Sequence, residues 1–203
     1  MNEETIAKKF SRRTFMKGMG AGVVGGYAVM PTMEKAANDA DDVAGEKREW
    51  LSLTVNSQKV RVQIPPQTTL AELLRNRLAL TGAKVACNHG ECGGCTVLVD
   101  GKAIYACHFL ALDAADKDVL TIEGLLTGEE IHQLQQSFVD HDGLQCGFCT
   151  PGQIMAAYAL LQKYPKPTRE QVMAGMSGNL CRCAAYPKII DSVLAMAEKN
   201  SWQ

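Results

Sequence analysis

The chain has almost no net charge. Its 203 residues set 21 lysines and arginines against 22 aspartates and glutamates, a formal balance of -1. Without a basic surplus there is little to neutralise phosphates, which argues against nucleic acid as a partner. Aromatic side chains are also scarce, with 2 Trp, 5 Tyr and 5 Phe, so a large aromatic-lined pocket is not expected. A membrane span is not expected either: the uncharged run Gly18 to Met33 holds five glycines and falls short of the roughly 20 apolar residues a span needs. What the chain does hold is cysteine, eight in all. The hydrophobic share of 46% and charged share of 21% are those of an ordinary globular protein. The chemistry must therefore come from the cysteines or from a partner chain.

The cysteines fall into two sets of four, with none left over. The first is Cys87-Asn-His-Gly-Glu-Cys92-Gly-Gly-Cys95, with Cys107 after eleven intervening residues. This is the spacing by which plant-type ferredoxins bind a [2Fe–2S] cluster. The second is Cys146-Gly-Phe-Cys149, then Cys181-Arg-Cys183 after thirty-one residues. The alternative for the first set is structural zinc, but zinc sites usually pair their ligands as two short knuckles, unlike a glycine-threaded loop of three. Gly90, Gly93 and Gly94 let the backbone curl so that N–H groups reach the sulfurs. His89 and His108 flank ligand positions and are read as loop and strand residues without a role.

The N-terminus reads as an address. Residues 1–17 carry five basic side chains and end in Ser11-Arg12-Arg13-Thr14-Phe15-Met16-Lys17, which resembles a twin-arginine export signal. The run to Met33 behind it suits a signal h-region. Gly26-Tyr27-Ala28 is the better small-x-small cleavage site and Val43-Ala44-Gly45 the weaker; an uncut signal would tether the protein to the membrane. Residues 34–49, with six acidic and three basic side chains, read as a solvated linker. An exported chain with an even cysteine count would ordinarily suggest disulfides. The twin-arginine route carries folded chains with their cofactors in place, so export and cluster binding are compatible.

Residues 50–124 form the first expected domain. Leu51, Leu53 and Val55, then Val60, Val62 and Ile64, alternate as two strands around a turn at Asn56–Lys59. Thr69 and Glu72 form a capping box ahead of a short helix faced by Leu70, Leu73, Leu74 and Leu78. Thr96–Val99 and Lys102–Cys107 read as a hairpin turning at Asp100-Gly101, and Val119–Ile122 as a last strand. This order resembles the β-grasp of plant-type ferredoxins.

Residues 125–203 form an all-α second domain. Ile131, Leu134 and Phe138 mark one helix. A second is expected to open with Thr150 as N-cap and Pro151 behind it, burying Ile154, Met155, Tyr158 and Leu161. A third opens at the Thr168–Gln171 capping box, and a last one carries Ile189, Ile190, Val193, Leu194 and Ala197 on one face. Both cysteine pairs thus lead into helices, whose positive N-terminal ends suit an anionic cluster. Arg182 is read either as offsetting cluster charge or as a surface ion-pair partner.

At Gln145–Gly152 and at Gly178-Asn179-Leu180-Cys181-Arg182-Cys183 the sequence resembles the iron–sulfur subunit of the molybdenum hydroxylases, the family of xanthine dehydrogenase and aldehyde oxidoreductase. The resemblance runs from Trp50 onward. It implies an α+β chain, a β-grasp domain followed by a helical-bundle domain. The outer cluster would sit on Cys87, Cys92, Cys95 and Cys107, and the inner one on Cys146, Cys149, Cys181 and Cys183. Gln145 and Cys183 would approach the pterin of a molybdenum cofactor held by a large partner subunit. Electrons would then pass outward to an FAD-binding or cytochrome c partner. Ala184-Ala185 departs from the Thr-Gly common after the last cysteine, and Asn88-His89-Gly90 resembles the exported aldehyde oxidoreductases. The resulting expectation is a periplasmic electron-transfer subunit with no bond chemistry of its own, whose enzyme oxidises an aldehyde or an N-heteroaromatic compound. A free-standing two-cluster shuttle and an exported zinc- or disulfide-stapled module are the alternatives.

Overall fold

The computed structural model of the protein describes residues 47–126, 128 and 130–199. The expected signal, and the linker up to residue 46, lie outside them. The architecture is α+β: a mixed five-stranded sheet followed by helices. Strands β1 (Glu49–Val55) and β2 (Gln58–Ile64) form a hairpin. Its turn places Asn56 and Ser57 at φ 49° and 66°, the left-handed pair that matches the twist of a two-residue hairpin loop. Strands β3 (Thr96–Val99) and β4 (Lys102–Tyr105) form a second hairpin through Asp100-Gly101, again both at positive φ. Strand β5 (Asp118–Leu120) lies between them, parallel to β1 and antiparallel to β3, so the order is β2-β1-β5-β3-β4.

Helix α1 (Leu70–Glu72) starts at the expected capping box: the Glu72 N–H donates to Thr69 Oγ1 at 3.2 Å and the Thr69 N–H to Glu72 Oε2 at 2.8 Å. It continues as one π-helical turn, Leu73–Arg77. Leu70, Leu73 and Leu74 are fully buried against Leu51, Ile64 and Val97 of the sheet. Burying a leucine of this kind is worth roughly 1.5–3 kcal/mol.

The helices α2 (Gln133–Asp140), α3 (Thr150–Lys163), α4 (Arg169–Met176) and α5 (Tyr186–Glu198) make a second core around Leu134, Phe138, Met155, Leu161, Val193 and Met196. Leu98 of β3 joins this core, with Leu120 of β5 packed against it, and α3 lies on β3. The sheet is therefore a common wall, with α1 on one side and the bundle on the other. Among the described residues no helix is long and apolar enough to cross a membrane.

Four local expectations shift. Strand β4 stops at Tyr105, and Cys107 falls in a 3-10 turn, Ala106–His108. Strand β5 ends at Leu120 because Thr121, fully buried, gives its N–H to Asn56 Oδ1 at 2.9 Å instead of to a strand; Ile122–Leu125 then coil as a 3-10 turn. Ile131 is 48% exposed and precedes α2. His132 caps that helix instead, its Nδ1 accepting from the Leu134 N–H at 3.1 Å. The N-cap of α3 is Cys149, with Thr150 already inside the helix.

Two candidate metal centres

The first four cysteines converge where the loop after the π turn meets the β3–β4 hairpin. Pairing of Thr96 with Tyr105 brings the chain on either side together, so the Cys107 N–H donates to Cys95 Sγ at 3.4 Å. Cys95 and Cys107 are buried, Cys87 and Cys92 half-buried. The His89 N–H donates to Cys87 Sγ at 3.4 Å. That bond, then the Glu91 N–H and the Cys92 thiol, hold Cys87 down at about 6. Burial pushes Cys95 up to about 12, with Cys107 as its neighbour. The sulfurs thus meet as two pairs, Cys87 with Cys92 and Cys95 with Cys107.

The second set repeats the arrangement on helices. Cys146 is exposed in the loop after α2, and Gly147 turns the chain at φ 79°. Cys149 caps α3, while Cys181 and Cys183 lie on the loop leading into α5. The Phe148 N–H, and then the Cys183 thiol, lower Cys146. Burial raises Cys149 to about 12 beside Cys181. The pairs are Cys146 with Cys183 and Cys149 with Cys181.

This pairing matches the donor set of a [2Fe–2S] group, in which each iron takes two thiolates. Among the described residues no three His, Cys, Asp or Glu side chains gather closely enough to hold a single ion. Backbone N–H groups already point at Cys87 and Cys95, as sulfur ligands require. The thiols of Cys95, buried, and Cys149, half-buried, would lose their protons on binding iron, because thiolate is the ligand form. At the inner set the N-termini of α3 and α5 add positive dipole ends. The residues fit the group at both places.

The two centres are joined. The Leu180 N–H donates to the Cys92 carbonyl at 2.9 Å, so a cysteine of the first set is bonded to the residue just before Cys181. Around this bond lies a buried polar seam. Asn179 Nδ2 donates to the Gly93 carbonyl at 2.9 Å and to Thr96 Oγ1 at 3.0 Å. Gln153 Nε2 donates to the Asn179 carbonyl at 2.8 Å, and the Tyr105 hydroxyl to the Gly178 carbonyl at 2.8 Å. Gly93, at φ 69°, has no room for a side chain: a Cβ would run into the Asn179 amide.

Outside the seam, Cys92, Cys146, Cys149 and Cys181 border a cavity of 320 Å³ rimmed by the exposed side chains of Phe148, Leu180, Arg182 and Tyr186. Gln145 is exposed beside Cys146, and Cys183 is half-buried opposite it. Asn179, Gln153 and Tyr105 are the site residues that sequence pattern missed. Two of them left a signal without a role: Asn179 lies in the Gly178–Cys183 motif, and Gln153 is a polar residue on an otherwise apolar helix face.

Residues 53–122 match the family model of a 2Fe-2S iron-sulfur cluster binding domain, and residues 121–194 that of a [2Fe-2S] binding domain. The chain is 44% identical over 147 residues to the nicotine 6-hydroxylase small subunit of Paenarthrobacter nicotinovorans, covering 72% of this chain and 88% of that one. It is 39% identical over 158 residues to the aldehyde oxidoreductase iron-sulfur-binding subunit PaoA of Escherichia coli K12, covering 70% and 69%. Among solved structures it resembles a chain of quinoline 2-oxidoreductase from Pseudomonas putida 86, with TM-score 0.72 and 42% identity over 74% of this chain and 94% of that one.

Proposed function

Because the chain belongs to the [2Fe–2S] small subunits of the molybdenum hydroxylases, the oxidoreductase family of xanthine dehydrogenase, we propose that it is the internal wire of such an enzyme. Cys87, Cys92, Cys95 and Cys107, in a β-grasp domain of residues 50–124, hold the outer [2Fe–2S] group. Cys146, Cys149, Cys181 and Cys183, in the helical domain of residues 125–203, hold the inner one. When bound, each group supplies a one-electron carrier. The protein fixes the two carriers close together and aims backbone N–H groups at their sulfurs. The observation that carries this reading is the Leu180 N–H to Cys92 carbonyl bond, which ties one thiol set to the other at 2.9 Å.

Gln145 and Cys183 face the large subunit that holds the molybdenum cofactor, and the apolar rim of Phe148, Leu180 and Tyr186 covers itself against that subunit. Electrons leave on the Cys87 side, to an FAD-binding or cytochrome c subunit. The substrate is an aldehyde or an N-heteroaromatic compound. Relatives named for nicotine and for aldehydes stand at 44% and 39% identity, which supports placing substrate choice in the large subunit. The Arg12-Arg13 motif supports twin-arginine export to the periplasm.

The test is metal analysis and EPR on the purified complex. About four irons and four acid-labile sulfides per chain are expected, together with a molybdenum-containing partner. Cys149→Ser should remove one EPR signal and Cys92→Ser the other. A chain that emerges alone supports the free-standing shuttle instead, and zinc or oxidised thiols in place of iron refute the cluster assignment.

A further inference from the structure

The Gly178-Asn179-Leu180 segment lies ahead of the inner cysteines and supplies none of them. Asn179 is 5% exposed and is bonded through both its backbone and its side-chain amide. Its backbone N–H donates to the Met176 carbonyl at 3.0 Å, and its carbonyl accepts from Gln153 on the first turn of α3. Its side-chain amide then reaches across to the other domain. There it shares the Gly93 carbonyl with the Thr96 N–H, at 3.1 Å, and with the Thr96 hydroxyl, at 2.6 Å. Gly93 follows Cys92 directly, and Asn179 lies two residues before Cys181. A single side chain therefore spans from one cysteine loop to the other, 86 residues away in sequence. No buried side-chain polar atom among the described residues lacks a partner.

We propose that Asn179 is a positioning residue that sets the separation and orientation of the two metal centres, acting through Gly93 and Thr96. The proposal rests on the two-centre reading above. Separation matters because electron tunnelling falls exponentially with distance and the magnetic coupling of two reduced centres falls as its inverse cube. A purely structural asparagine would affect folding and leave that coupling alone.

The experiment is low-temperature EPR of the dithionite-reduced, assembled enzyme, with iron content measured on the same samples. Asn179→Ala removes the latch. Thr96→Val removes the hydroxyl that receives it, in a side chain of nearly equal shape, and so reports even if the first variant fails to fold. Thr96→Ser keeps the hydroxyl. Asn179→Ala and Thr96→Val should keep full iron and the g values of both signals yet lose or narrow the splitting between them, and Thr96→Ser should restore it. Unchanged splitting in loaded Thr96→Val overturns the proposal. Shifted g values or lost iron also overturn it, because the residue would then hold one centre instead of spacing two. A wild-type enzyme without two separate signals would instead count against the two-centre reading itself.

Discussion

His132 offers a sharp test of how the bundle is held. Its Nδ1 accepts from the Leu134 N–H, and the Gln135 side chain reaches back to the His132 N–H at 2.8 Å, completing a capping box. Its ring meets that of Tyr158 edge-on, with centroids 5.6 Å apart, which fixes α2 against α3. A ring nitrogen that accepts cannot carry a proton, and burial lowers the His132 pKa below its ordinary value. The sign follows. The unfolded chain takes up this proton more readily than the folded one, so the stabilisation is complete above the unfolded pKa of about 6.5. It declines as pH falls through that value toward the folded pKa. His132→Ala loses both the cap, about 0.5–2 kcal/mol, and the ring contact, about 0.5–1.5 kcal/mol. His132→Asn keeps a good cap acceptor, loses only the ring contact, and cannot titrate. Urea unfolding of each protein at pH 7.5 and 5.5 separates these effects. At pH 7.5 Ala should cost more than Asn, and the wild type should lose more stability than Asn on acidification. Equal losses on acidification would refute the argument, because the pH slope would then belong to other groups.

Two further outcomes are expected. Ala184, just past the last cysteine, sits at φ 58°, a left-handed conformation that costs an L-residue roughly 1–2 kcal/mol; Ala184→Gly should raise the melting temperature of the loaded enzyme, and a lower one would show that the turn is not strained. Replacing Arg12 and Arg13 together by lysine should leave active enzyme in the cytoplasm, as measured by activity in separated cell fractions, and undiminished periplasmic activity would rule out twin-arginine export.

Much of the scaffold was legible because it obeys short-range rules. The alternation of Leu51, Leu53 and Val55 marks a strand whose inward side chains are all buried. The Thr69–Glu72 and Thr168–Gln171 capping boxes both form, because each needs residues only three apart. The π turn at Leu73–Arg77 was not legible, since its apolar spacing is also that of an ordinary helix turn. The end of β5 was hidden because Thr121 is diverted by Asn56, 65 residues earlier. Likewise Thr150 looked like a cap by residue type, yet the chain turns one residue sooner, at Cys149. At the candidate site the cysteines announced themselves by spacing. The seam between them did not, because Asn179 finds Gly93 and Thr96 only once the bundle has closed on the sheet.

Cys92 offers its thiol to one centre and its carbonyl to the loop of the other. Filling either centre would therefore hold in place a segment that also borders the second. Loading one half should favour loading the other through the ordering they share, while each half keeps four cysteines of its own.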